Sequence, residues 1–474
     1  MLFSFFRKTT LQTLGKISTK NDEYTIDGSD KNDILTVFGS VNASKNGTNR
    51  FSMGDGNDSL TFIGKMMSEK GGANYIDLGA GKNTFTSGAL SARESINSIL
   101  AGNERDVVST GGLEAIEGQN IISLGDGNNK VTIAGSMSAR DAGTNQVLTG
   151  SDDDYINVIG SMTSYGDENP AGMINNFISA GDGDNCVRVS GGMRAYDDGV
   201  NKINTGTGDD DISVGKMYSE GYNLIYSAGG NNSISVRGME AAEGNNEVVT
   251  ATGNDTVCIT GNLTAEDGYR NFIFTDEGND GVKLCGKVGV GGLDLNMGLG
   301  YDELILSASR DTTFTKNYQD WLTAAIEGTD GLFLNVNTLQ VDLNCKLKDF
   351  SGLDWLSDLA ANHNPFLFLE LSIDNYGRNI SLNDMFSDES ASMFAVLDMG
   401  GNCRNTLNVG GSLADNNVLN DHLYIQGDKC DTVKLDNVWA ESGSTVEQHG
   451  VTYDVYTNNN EYLMVQNEIS VLFG

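Results

Sequence analysis

The stretch Gly54-Asp55-Gly56-Asn57-Asp58-Ser59-Leu60-Thr61-Phe62 sets a glycine-rich acidic turn directly before an alternating apolar segment. Variants of it recur as far as Gly298-Leu299-Gly300-Tyr301-Asp302-Glu303-Leu304. The residue that ends each turn falls at Asp33, Asp58, Asn83, Asp106, Asn129, Asp154, Asn185, Asp210, Asn232, Asp255, Asp280 and Asp302. These positions span 269 residues in 11 steps, about 24 residues per step. A fixed period of about 20–50 residues marks a chain that winds the same unit repeatedly, each turn covering the apolar face of the last.

Working outward, one coil reads as three short alternating segments separated by turns, shown by residues 118–141. Gly118-Gln119-Asn120-Ile121-Ile122-Ser123-Leu124 leads into Gly125-Asp126-Gly127-Asn128-Asn129, and Val131, Ile133, Gly135, Met137 and Ala139 follow. Period-two alternation predicts strands with one buried face. Asparagine recurs once per coil at Asn49, Asn74, Asn97, Asn120, Asn145, Asn201, Asn223, Asn246 and Asn271. In-register stacking at about 4.8 Å lets such amides hydrogen-bond along the stack, a structural role. The fold class is therefore all-β: a parallel β-solenoid of about 11–12 coils, then a smaller, mostly β C-terminal domain with a few helices.

The expected organisation is a cap over 1–22, where Leu11, Leu14 and Ile17 have helical spacing, and a solenoid over 23–306. A mixed α/β region over 307–380 follows, with helices at Asn317–Glu327 and Ser351–Ala361, and a β-rich domain over 381–474. One step stretches, from Asp154 to Asn185, and predicts a loop around Gly166-Asp167-Glu168-Asn169-Pro170.

The chain carries 65 acidic against 30 basic side chains, a formal charge of −35. That balance argues against nucleic acid and anionic lipid as partners and in favour of divalent cations. Only 2 prolines among 60 glycines suit a chain that turns constantly while keeping its amides for sheet ladders. The six cysteines form no CxxC pair; buried free thiols are expected, with a Cys258–Cys285 disulfide as the alternative. No segment is long and apolar enough to insert in a membrane, and the first residues lack a signal-peptide core.

The acidic corner is the strongest chemical candidate. Stacked corners would bring carboxylates and turn carbonyls together, an oxygen-only set that suits Ca²⁺. The candidate metal residues are Asp33, Asp58, Asp106, Asp154, Asp210, Asp255, Asp280 and Asp302. The bland reading is that Gly, Asn and Asp serve only the turn, through positive φ and local hydrogen bonds. The motif resembles the RTX calcium-binding repeat, although here it occurs once per coil. Leu423-Tyr424-Ile425-Gln426-Gly427-Asp428, Asp431-Thr432-Val433-Lys434-Leu435, Trp439 and Gly450–Tyr456 resemble the end region of type I-secreted RTX adhesins. Ile380-Ser381-Leu382-Asn383-Asp384-Met385 resembles the segment preceding it in that family. The resemblance implies a C-terminal secretion signal read by a type I exporter and an extracellular or cell-surface location. Adhesion to polysaccharide or a cell surface, or self-association, would follow.

Enzymatic patterns are poor. His363, His422 and His449 have no metal-ligand spacing, and no nucleophile elbow or phosphate loop appears. The competing expectation is a carbohydrate-active β-helix enzyme using Arg188 and Arg194. Ice binding needs a threonine file, and Thr61, Thr86, Thr132 and Thr256 are not expected to share one.

Overall fold

The structure, a computed structural model, describes residues 2–4, 11–166, 173–308, 311–327, 334–335, 338–343, 355, 368–372, 379–382, 395–400, 404–413, 422–448 and 450–474. The fold is a parallel β-solenoid, and the chain divides into two compact units. One comprises Met1–Val257 with Thr264–Glu277, the other Cys258–Leu263 with Gly278–Gly474.

In the first unit most coils lay down three strands, each paired in parallel with its counterpart one coil away; in Asp211–Ser219 and Ser233–Ala241 the second and third run on as one. Thr48–Ser52, Ala73–Asp77, Ile96–Leu100 and Gln119–Ser123 stack with Asn49, Asn74, Asn97 and Asn120 in register. Ile34–Val37, Ser59–Phe62 and Thr84–Thr86 form a second ladder, and Val41–Ser44, Met66–Glu69 and Leu90–Arg93 a third. Alternation sends Leu35, Leu60, Phe85, Val108 and Val131 inward, where all are fully buried. The core is thus a pile of like residues rather than a converging cluster, because each side chain meets its own copy above and below.

Asparagine fills the third side of the core. From Asn49 to Asn271 each Nδ2 donates to the next asparagine's Oδ1 at 2.7–2.9 Å. The same nitrogen also donates to a backbone carbonyl of the third ladder, as Asn74 does to Met67 at 2.7 Å. The file includes Asn176, which the sequence reading passed over because the long step displaces it. Of the loop expected there, only Gly166 lies within the described residues.

Two expectations change. Leu11–Leu14 and Ile17–Lys20 are strands paired with Ile34–Val37 and Val41–Ser44, so the helical spacing read there is β-strand. The three-residue spacing of Leu11, Leu14 and Ile17 comes from two strands joined by a bend at Gly15-Lys16. In the second unit parallel stacking continues past Leu306. Glu303–Ala308 pairs with Thr338–Leu343, then Phe368–Ser372, Val396–Asp398, His422–Gln426 and Glu461–Gln466 follow in order. A companion ladder joins Asn379–Ser381, Thr406–Val409, Thr432–Leu435 and Ser470–Phe473. An antiparallel hairpin, Ala440–Gln448 with Val451–Asn458, is added alongside Glu461–Gln466.

The helix expected at Asn317–Glu327 is present and starts earlier, at Asp311. It is held by Tyr318 Oη, which donates to Leu284 and Ser307 carbonyls, and by Trp321 Nε1, which donates to Leu293. Of the helix expected at Ser351–Ala361 only Trp355 lies within the described residues. No helix among the described residues is long and apolar enough to cross a membrane.

Candidate metal centre

The corner before each second-ladder strand is built from glycine. Gly54 and Gly56 take φ of +87° and +122°, a region that side chains resist. At Gly79 a Cβ would lie 1.8 Å from the Gly54 carbonyl oxygen of the preceding coil. Coils therefore meet backbone to backbone at this corner, and the terminal Asp or Asn of the turn folds inward.

All eight candidate aspartates are buried, at most 2 % exposed. Six of them, Asp33 through Asp255, stand in one file in the first unit with the intervening asparagines. From Asp33 to Asn232, each backbone N–H donates to the side-chain Oδ1 of the corner residue one coil on, at 2.7–3.2 Å. In the second unit Asp280 N–H donates to Asp302 Oδ1 at 3.2 Å. From Asp58 to Asp255 the file alternates strictly between acid and amide.

The alternation separates two chemistries. Asn83 Nδ2 donates to the carbonyls of Gly79 and Gly81, four and two residues earlier in its own turn. Asn185 does the same to Gly181 and Gly183, and Asn129 reaches Gly125. An aspartate in this register uses Oδ1 identically, which puts Oδ2 in the place of the amide nitrogen. At Asp58, Asp106 and Asp154 that Oδ2 is buried and has no hydrogen-bond partner. Thr149 lies beside Asp154, but its hydroxyl donates to Ala180 O at 3.0 Å. Asp210 differs because Ser227 Oγ donates to its Oδ2 at 3.0 Å. At Asp33 Oδ2 accepts from Ser29 N–H and Oγ.

Burial therefore raises these acids. Desolvation pushes Asp58, Asp106 and Asp302 up to about 6 and Asp154 up to about 7, against backbone hydrogen bonds that pull them down. Asp210 is raised for the same reason. The exposed acids of the turn behave otherwise. Asp182 accepts from Thr207 N–H and Oγ1, which holds its carboxyl below the ordinary value. Asp126, Asp184 and Asp209 likewise cap amides of the following coil.

The orphaned oxygens are hard donors set against turn carbonyls, a chemistry that fits Ca²⁺ and not zinc. Among the described residues no three acidic, histidine or cysteine side chains converge. Each of these corners thus offers one buried carboxylate; the positions equivalent to the carbonyls that Asn83 and Asn185 use are Gly54 and Gly56 for Asp58, Gly102 and Glu104 for Asp106, and Gly150 and Asp152 for Asp154.

A corner was missed at Asn405 and Asp431 in the second unit, where Asn405 N–H donates to Asp431 Oδ1 at 2.8 Å. Its signal was the glycine four residues before Asp431 and Val433 two after, the spacing of Gly54, Asp58 and Leu60. Asp431 Oδ2 accepts from Asp428 N–H, so both Asp431 oxygens are capped.

Other candidates are accounted for. Arg188 pairs with exposed Asp211 at 3.6 Å, and Arg194 donates to Ser161 Oγ at 3.4 Å. Cys186, Cys258, Cys285 and Cys430 are free thiols, so the Cys258–Cys285 disulfide is absent. His422 stacks on Tyr462, while His363 and His449 lie outside the described residues. Thr61, Thr86 and Thr132 do share a file, with Thr36 and Ser109, contrary to the sequence reading.

No protein-family model matches the sequence, and no curated protein matches it. Among solved structures the chain is similar to a hyperactive, Ca²⁺-dependent, β-helical antifreeze protein from an Antarctic bacterium. The identity is 16 % and the TM-score 0.41, over 68 % of this chain and 93 % of that one.

Proposed function

We propose that the chain is a non-enzymatic, calcium-binding β-solenoid of the secreted or cell-surface kind, with a structural or adhesive role. The observation that carries this reading is the buried, unpartnered Oδ2 of Asp58, Asp106 and Asp154. Such an atom, set among carbonyl oxygens, needs either a proton or a cation. Near neutral pH the carboxyls ionise, and a divalent cation removes the repulsion.

Calcium, when bound, supplies charge neutralisation and oxygen coordination at the corner. Asp58, Asp106 and Asp154 would contribute the charged ligand, their turns the carbonyls, and water the remaining positions. One carboxylate per ion predicts weak sites, in the range of about 10⁻⁴–10⁻³ M typical of extracellular modules. Such sites stay empty in cytoplasm and fill outside, which couples folding to export. The resemblance of residues 423–465 to RTX adhesin ends supports a type I exporter as partner.

The test is far-ultraviolet circular dichroism and thermal melting in excess calcium and in EGTA. A β signal and melting temperature indifferent to EGTA would remove calcium from the mechanism.

A second reading has its own observation. The file Thr36, Thr61, Thr86, Ser109 and Thr132 places hydroxyls outward at one per coil on adjacent strands. A regular hydroxyl file suits an ordered water lattice, so ice binding is the alternative. Absence of thermal hysteresis at high protein concentration rules it out.

A further inference from the structure

From residue 96 onward the outer face of the asparagine ladder carries almost no charge. Its eight strands from Ile96–Leu100 to Asn271–Phe274 hold one base, Lys202, and one acid, Glu247, in a chain with 30 bases and 65 acids. Their outward residues are half-buried, many of them large and apolar.

The central outward file has an internal symmetry. Phe177, Lys202, Leu224, Glu247 and Phe272 stand in consecutive coils in one register. About Leu224 the file reads the same outward in both directions, phenylalanine beyond a charged residue, with the two charges opposite in sign. A two-fold axis parallel to the strands, passing over Leu224, would therefore set each Lys202 against the other copy's Glu247. The same axis sets Phe177 against Phe272 and Leu224 against itself. Self-complementarity of this kind is what an isologous contact requires.

The charged pair is already positioned. Lys202 Nζ lies 6.0 Å from the centre of the Phe177 ring. Glu247 accepts from Tyr222 Oη, which holds the carboxylate on this face. Lys and Glu together span the separation of about 10 Å between packed sheets.

We propose that this face joins two copies of the chain, sheet to sheet and with the coil axes antiparallel. The five strands around Leu224 cover roughly 24 Å by 20 Å, which places the pair among small, reversible interfaces. The approach is through a face that avoids the acid excess, and it does not depend on the calcium reading.

The test is sedimentation of the full chain from about 1 to about 300 μM in excess calcium, with circular dichroism on every variant. The wild type is expected to dimerise reversibly within that range. Lys202→Glu alone and Glu247→Lys alone are each expected to weaken dimerisation at least about tenfold, because each sets like charges together twice. The double variant with both changes is expected to return to wild-type behaviour. A wild type that stays monomeric at the highest concentration overturns the proposal and leaves the face to a different partner. So does a dimer indifferent to the single reversals, or a correctly folded double variant that stays monomeric.

Discussion

The first unit contains two buried polar files that look alike in sequence and differ in their hydrogen bonds. The Asn49–Asn271 file is closed: its amides donate along the file and to a carbonyl of the third ladder. The corner file is closed at its asparagines and at Asp210, capped at Asp33 on Oδ2 but not on Oδ1, and open at Oδ2 of Asp58, Asp106 and Asp154. A closed file holds the fold; an open one asks for something the chain does not contain. The difference is a single atom, nitrogen or oxygen, at the same place in the turn.

The largest expected effect comes from opening the closed file. Asn120→Ala removes donations to Glu114 O and Asn145 Oδ1 and an acceptor for Asn97. The expected loss is about 3–5 kcal/mol, since several fully buried groups lose partners together. Urea unfolding at fixed calcium reads it, and a loss below about 1 kcal/mol would put both files in one class.

Calcium removal comes next. At ten times the dissociation constant each site contributes about 1.4 kcal/mol, so three open corners add roughly 4 kcal/mol that EGTA abolishes. Titration calorimetry counts the sites. Closing the open file chemically gives a similar magnitude with the opposite sign. In EGTA, the combined Asp58→Asn, Asp106→Asn and Asp154→Asn chain is expected to gain about 1 kcal/mol per corner. It also loses its response to calcium. If the substitutions destabilise the metal-free chain, Oδ2 does not stand where the amide nitrogen does.

A pH profile sharpens the same contrast. In the metal-free chain Asp58 and Asp106 rise from the ordinary 3.8 to about 6, and Asp154 to about 7. The folded chain therefore binds more protons than the unfolded chain between those values. Their contribution is complete below about 3.8 and is lost as pH climbs through about 6 to 7. Melting temperature in EGTA should fall over that interval, and the triple asparagine variant should flatten the fall. The smallest effect is expected at an exposed acid: Asp126→Ala should change stability by no more than about 0.5 kcal/mol.

Much of this was legible in the sequence, because a stacked coil repeats each local choice at a constant interval. The Asn49 column, the corner and the helix near Asn317 all follow from period and alternation. The distinct duties of Asp58 and Asn83 did not, since both residues are good turn formers and only the hydrogen-bond inventory separates them. The second unit was obscured where a helix interrupts the rhythm between Glu303–Ala308 and Thr338–Leu343, hiding the parallel pairing beyond. The bend at Gly15-Lys16 imitated helical spacing because two strands met within seven residues.

The Cβ position at Gly79, blocked by the carbonyl of Gly54, has a consequence for how such a chain changes length. Every circuit offers its successor the same bare backbone and the same row of acceptors that it received. A segment cut out or copied as one whole circuit rejoins its neighbours without a misfit, whereas a fragment of a circuit does not. Variation in gene length should therefore come in steps of one winding, and point changes should be scarcest where two glycines touch.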